Sequence, residues 1–238
     1  MKNADIRLRS QLNMASETMK ERILEAAIGL LTSEGPEGVT TRAVAEAAGI
    51  QAPTIYRIFG DKHGLLEALA EHGFRRHLAG KPSNGGPDPV EDLRQGWEVH
   101  IAFGLENPAL YSLMYGAPRP GNRSAAALTA EKLLQGRIHQ IALAGRLKVS
   151  ERRAVEMVRA AACGVVFSWL GQPQDARDPG LSEATREAIL EAITHGDSTP
   201  AGSTAHLAVA LKARLEKSSH LSAAELALLR EWLDRLSD

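Results

Sequence analysis

The chain has little with which to hold itself together covalently or through a metal. Its 238 residues include one cysteine, Cys163. This forbids an intrachain disulfide, leaves a structural zinc site without its clustered thiolates, and fits a reducing compartment. Aromatic residues make up only 4%, and strand-type alternation is nearly absent. The longest uncharged, largely apolar stretch, Ala160 to Gly171, falls well short of the roughly 20 residues that cross a bilayer. Met1 to Ser16 holds no apolar block of secretory length, so neither export nor a membrane is expected and the location read is cytoplasmic. Charge of one sign is also missing. Lys+Arg 28 against Asp+Glu 29 leaves a net charge of −1, so a charged partner must be met through a local patch.

What is present reads as helix. Apolar residues are 44% and charged residues 24%, as in an ordinary globular protein, and Ala, Leu, Glu and Arg recur with apolar residues three and four apart. The fold class is therefore all-α. Ile23, Leu24, Ala27, Leu30 and Leu31 line one face of a first helix. Thr18 and Glu21 form a capping box at its start, and Gly35-Pro36 ends it. Residues 1–16 are expected to be an unstructured tail.

Short helices follow at Thr40 to Ala48 and Pro53 to Phe59, then a longer one from Asp61 to Leu78. The Pro- and Gly-rich stretch Gly80 to Pro89 marks a boundary, giving domains at 17–79 and 88–238. In the second, helices are read from Asp88-Pro89 to about Glu106, from Asn107-Pro108 through Tyr115, and at Ser124 to Leu147, Ser150 to Leu170, Ser182 to His195, Thr204 to Ser218 and Ser222 to Leu236. The last opens on a Ser222/Glu225 capping box. Loops fall at Gly116 to Arg123, Gly171 to Gly180 and Gly196 to Gly202.

The most informative stretch runs from Thr40 to Phe59: a short helix, a tight Gly49 turn, and a second short helix. This is a helix-turn-helix pattern. Ala45 and Ala48 are small enough for the second helix to approach. Gly49 can take left-handed backbone, and Ile50, Ile55 and Phe59 supply a shared core. Pro53 presets the first turn of the second helix. That helix is roughly 12 Å long, about the width of a DNA major groove. Its N-terminal residues Gln51, Ala52, Pro53 and Thr54 are candidates to read base edges. Tyr56, Arg57 and Lys62, with Thr41 and Arg42, are candidates to hold phosphates. Residues 1–80 contain ten Lys/Arg and ten Asp/Glu, so any basic surface is confined to the groove-facing edge.

The series Thr40-Thr41-Arg42, Val44-Ala45, Ala48-Gly49-Ile50, Pro53-Thr54-Ile55-Tyr56-Arg57, Phe59, Asp61-Lys62 and Leu65-Leu66 resembles the DNA-binding domain of the tetracycline-repressor (TetR) family of bacterial transcription regulators, over about Met19 to Leu78. Two positions depart from that pattern: Gln51 stands where a serine often caps the recognition helix, and His63 where an acidic residue often follows the lysine. The resemblance implies a homodimer on a palindromic operator in double-stranded DNA. It also implies a C-terminal helical domain that holds a small effector, and no cofactor or metal. Such a protein represses until the effector selects a dimer geometry that no longer fits the operator. The helix from Asp61 to Leu78 is the natural lever.

The remainder carries no specific motif. Trp97, His100, Phe103, Tyr111, Met114 and Tyr115 lie within nineteen residues, and Phe167 and Trp169 lie near Cys163. From these, Trp97, His100, Phe103, Tyr111, Met114, Cys163 and Phe167 are taken as candidates for a pocket holding a small apolar or amphipathic effector. Plain core is the competing reading for each. The helices at Ser150 to Leu170 and Ser182 to His195 occupy the place of the family's dimer interface, although the first, rich in Ala and Val, also suits a central buried position. Enzymatic chemistry has no support: there is no G-x-S-x-G, P-loop, G-x-G-x-x-G or H-E-x-x-H, and His72 and His77 do not share a helical face. A helical carrier without DNA binding is the alternative.

Overall fold

The computed structural model describes residues 2–79, 86–116, 123–195, 204–215 and 221–237. Among them eleven α-helices form and no strand: α1 (Lys2–Gly38), α2 (Thr41–Ala47), α3 (Ala52–Phe59), α4 (Lys62–Leu78), α5 (Pro89–Glu106), α6 (Pro108–Tyr115), α7 (Ala125–Leu143), α8 (Glu151–Leu170), α9 (Leu181–Ile193), α10 (Thr204–Leu215) and α11 (Ala223–Ser237). The expected all-α class is what the molecule has. The loops read at Gly80–Pro89, Gly116–Arg123 and Gly196–Gly202 lie largely outside the described residues. The helices fall into two units, residues 1–81 with 107–127, and residues 82–106 with 128–238.

In the first unit, α1 starts well before the Thr18 capping box, running back to Lys2 through residues read as a tail. No Gly or Pro interrupts the chain between residues 2 and 28, so nothing local stops the helix from extending. The axis breaks where the sequence says it should, at Gly35, whose φ is 73°. Ile23, Leu24, Ala27 and Leu31 of α1 are buried together with Val44 and Ala45 of α2, Ile55 of α3, and Leu65 and Leu69 of α4.

Helix α6 belongs to this unit as well, packed on α1 and α4, whereas the sequence groups it with the C-terminal domain. A tertiary fit accounts for the difference: at Gly73 of α4 a Cβ would lie 2.5 Å from Leu110 Cδ1. The missing side chain is the slot that α6 fills. Polar contacts tie the remaining edges. Glu25 of α1 contacts His72 Nε2 at 2.9 Å and accepts from Arg76 Nη1 at 2.7 Å, and its carboxyl is held below its ordinary range, chiefly by the His72 hydrogen bond.

In the second unit α8 packs on α5 and α9. Its face of Ala154, Val155, Val158, Ala162, Val165, Val166 and Trp169 is buried, while Ala160, Gly164, Phe167 and Ser168 on the other side are exposed, so α8 is not the central helix buried on several sides that its Ala/Val run suits. Trp97 of α5 is buried and donates from Nε1 to Ser182 Oγ of α9 at 2.9 Å. Beside it Arg94 donates to Glu187 at 3.0 Å, and Arg186 bonds both Glu187 and Glu98. These arginines draw Glu187 down to about 2, the Arg94 hydrogen bond being the largest cause. Helix α7 stops short of the expected Leu147. Gly145 takes left-handed backbone at φ 70°, after which Leu147 forms an isolated antiparallel bridge with Thr194.

Candidate nucleic-acid interface

Sequence decides the geometry of α2 and α3 turn by turn. Thr40 caps α2, its hydroxyl accepting from Ala43 N at 3.1 Å. Gly49, at φ 64°, makes the left-handed turn that side-chain-bearing residues resist. Pro53 sits in the first turn of α3, where its missing N–H costs nothing. Gln51 is the α3 N-cap but makes no side-chain capping bond, so its amide stays available to a partner, consistent with the departure from serine. Helix α4 follows at once. Asp61 caps it, accepting from Gly64 N at 2.8 Å, and a Cβ on Gly64 would lie 2.0 Å from the Phe59 carbonyl oxygen. Only glycine lets α4 start this close to the end of α3.

The consequence is a helix with one fully buried side chain, its Ile58 and Phe59 only half-buried. Ile55 is the only buried residue of α3. Gln51, Pro53, Tyr56 and Arg57 are exposed, Tyr56 at 52%, while Ala52 and Thr54 are half-buried. Arg42 and Lys62 are exposed and Thr41 is half-buried. The nine candidate DNA contacts therefore belong to three consecutive packed helices and their caps. Among the described residues Arg42, Arg57 and Lys62 form no ion pair, unlike Arg76 of the same unit, which engages Glu25. One link was not read from the sequence: Tyr56 Oη lies 3.2 Å from Thr41 Oγ1, joining the start of α2 to the middle of α3. The Asp61 side-chain cap on α4 was not read from the sequence either, and an aspartate directly after the Gly60 turn was its signal.

The candidate effector residues are placed differently. Trp97 and Phe103 are buried in the second unit, where His100 and Cys163 are half-buried. Burial pushes the His100 imidazole down to about 4, so it is neutral near pH 7. Tyr111 and Met114 are buried on α6 in the first unit, with the Tyr111 and Tyr115 rings 4.7 Å apart. Phe167 is 37% exposed, on the outward side of α8. The structure thus does not gather the seven into one unit.

Residues 23–69 match the family model for bacterial regulatory proteins of the tetR family. The class C tetracycline repressor of Escherichia coli is 43% identical over 56 residues, 24% of this chain and 26% of the repressor. The uncharacterized HTH-type regulator YvkB of Bacillus subtilis is 44% identical over 101 residues, 38% of this chain and 53% of that protein. The chain thus matches about a quarter of the tetracycline repressor's length and about half of the Bacillus regulator's. Similarity in fold runs further. A tetR-family regulator from Shewanella sp. PV-4 aligns over 75% of this chain and 99% of its own at 20% identity and TM-score 0.55. A TetR variant from Acinetobacter baumannii AYE, solved in complex with minocycline, aligns over 70% and 89% at 22% identity and TM-score 0.51. The helix-turn-helix region of residues 23–69, with its exposed α3, is thus the part of this chain that is similar to the tetR family of bacterial regulatory proteins.

Proposed function

We propose that the protein is a sequence-specific DNA-binding transcription regulator, a homodimeric repressor released from a palindromic operator by a small apolar or amphipathic effector. The observation that carries this reading is the exposure of α3, whose one fully buried side chain is Ile55 and whose exposed Arg57, with Arg42 and Lys62 on either side, forms no ion pair among the described residues. In the proposed complex Gln51, Ala52, Pro53 and Thr54 meet base edges in the major groove. Gln51 is suited to adenine, and Thr54 and the apolar pair to the thymine methyl. Thr41, Arg42, Tyr56, Arg57 and Lys62 hold phosphates and fix the register.

One such helix reads too few bases for selectivity, and two on a symmetric pair multiply it. Support for pairing comes from the outward faces of α8 and α9, where Ala160, Gly164 and Ser168 on one helix and Ala184, Ala188 and Ala192 on the other are small and exposed. A Cβ on Gly164 would meet nothing within 4 Å, so a second copy has room to approach, and Phe167 borders the same face. For the effector we favour Trp97, His100, Phe103 and Cys163 of the second unit, where the neutral His100 offers a polar handle among apolar walls. The solved complex of the Acinetobacter protein with minocycline supports this class of ligand. Shifting a dimer from 99:1 to 1:99 requires about 5.5 kcal/mol of differential affinity, which two sites per dimer can share.

The test is fluorescence anisotropy with genomic fragments selected by the protein itself. Lys62→Ala is expected to weaken binding to every sequence about equally and to lower the salt slope by about one phosphate contact, whereas Gln51→Ala changes base preference. The absence of any salt-sensitive binding would favour a helical carrier instead. A change of base preference in Lys62→Ala would refute the groove placement.

A further inference from the structure

The α10–α11 hairpin has no part in the reading above, and it shows an unusual surface. Its two helices pack on each other through Ala208, Leu215 and Leu233, with Leu221, Leu226 and Leu229 against them, and Lys212 pairs with Asp234 across the seam. A second apolar stripe lies beside this seam. Leu228, Trp232 and Leu236 follow one another at one-turn intervals on α11, as do Leu207 and Leu211 on α10, and all five are about half exposed, Leu207 most at 58%. In an antiparallel pair of helices these two stripes fall on the same side. Five of the eight large apolar side chains that stand exposed among the described residues are therefore on one face of one hairpin.

We propose that a second copy of this chain covers this face, the two hairpins closing into a four-helix contact that reinforces the dimer; the inference rests on the reading that the protein works as a pair. Two features point to a copy of itself. The first is charge. A two-fold axis passing Trp232 and lying in the contact sets Leu228 against Leu236 of the second copy and Trp232 against its own equivalent. Glu231 and Arg235, which pair with each other within one chain, then share the rim. Glu231 comes within ~3 Å, along the helix axis, of the second copy's Arg235, and the symmetry makes this contact twice. The second is area. Five half-exposed side chains of this size offer roughly 400 Å², about half of what each partner buries in a standard interface. That is too little to join two free molecules firmly. It suits a supplementary contact between copies already held elsewhere, where the effective concentration is high.

Sedimentation of the full chain measures the dimer dissociation constant. Trp232→Glu is expected to raise it at least tenfold. Glu231→Arg and Arg235→Glu each make the symmetric contacts like-charged and raise it several-fold. An equimolar mixture of these two variants makes both contacts opposite-charged and regains the wild-type constant. A misfolded variant is not rescued by mixing, so rescue is specific to the contact. An unchanged constant in Trp232→Glu, or no recovery on mixing, overturns the proposal. Gly164→Arg on α8 separates the two ideas: if it splits the dimer while the hairpin variants do not, only the hairpin contact fails, whereas a wild-type chain that stays single at all concentrations sinks the paired reading itself.

Discussion

The surroundings of α3, from α2 to the first turn of α4, and the helices α5 and α9 handle charge in opposite ways. Around α5 and α9 the arginines are bound into the fold: Arg94 and Arg186 share Glu187, Arg186 also reaches Glu98, and Arg146 donates to Asp88 at 2.7 Å. Around α3 the cations form no ion pair among the described residues, and Ile55 is the one fully buried side chain of the helix that carries them. A guanidinium that already holds a carboxylate has little to offer a phosphate, since the new contact must replace the old one. Open cations on a bare helix are therefore the more informative sign of a partner, even though the N-terminal 80 residues carry no net charge.

The largest effect should follow from removing the one anchor of α3. Ile55 is fully buried, and Ile55→Ala is expected to cost about 2–5 kcal/mol through lost contacts and the cavity left behind. DNA binding should be lost with it. All three tryptophans, Trp97, Trp169 and Trp232, lie in the second unit, so their fluorescence reports on that unit while circular dichroism reports on both. The variant should lower the dichroism midpoint more than the fluorescence midpoint. Equal shifts would mean that the two units unfold as one, and the contrast drawn above would not extend to stability.

Next comes the charge cluster of the second unit. Glu187→Gln removes the carboxylate shared by Arg94 and Arg186, at an expected cost of about 1 kcal/mol, kept small because these groups remain partly in water. The pH dependence has a definite sign. The folded protein holds Glu187 near 2, below its ordinary 4.5, so its contribution is present in full above 4.5 and is lost as pH falls from there toward 2. Acid titration of stability should show this loss in the wild type and a shallower one in Glu187→Gln. Identical acid limbs would remove the cluster from the account.

The same contrast explains how much could be read beforehand. The helix-turn-helix is legible because each of its demands is local: Gly49 for left-handed backbone, Pro53 for a first turn, Ile55 for the shared core. The Ser222/Glu225 capping box was legible for the same reason, Ser222 N donating to Glu225 at 2.8 Å. The placement of α6 was not, because the Gly73 slot that receives Leu110 lies on another helix and gives no periodic signal. Nor was the bond from Trp97 to Ser182, 85 residues apart, which makes Trp97 a packing partner of α9 as well as a candidate for the effector. Long-range fits of this kind also put Tyr111 and Met114 in a different unit from Trp97, His100 and Phe103, although these five are near neighbours in the chain.

The smallest expected effect concerns the one polar link inside the bare region. Tyr56 Oη and Thr41 Oγ1, 3.2 Å apart, are exposed, and an exposed neutral hydrogen bond contributes about 0.5–1.5 kcal/mol. Both groups are also assigned to phosphates, so loss of DNA affinity in either variant alone is ambiguous. A double-mutant cycle resolves this. If the bond fixes α3 against α2, then Tyr56→Phe and Thr41→Val, each destabilising the free protein, should together cost less than the sum of the two, with a coupling of at least 0.5 kcal/mol in thermal or urea unfolding. If the hydroxyls serve only DNA, the stabilities add and the coupling shows up solely in the binding free energies. A cycle that closes to zero in both measurements would leave the contact without a role, and α3 would then be positioned by Ile55 and its caps alone.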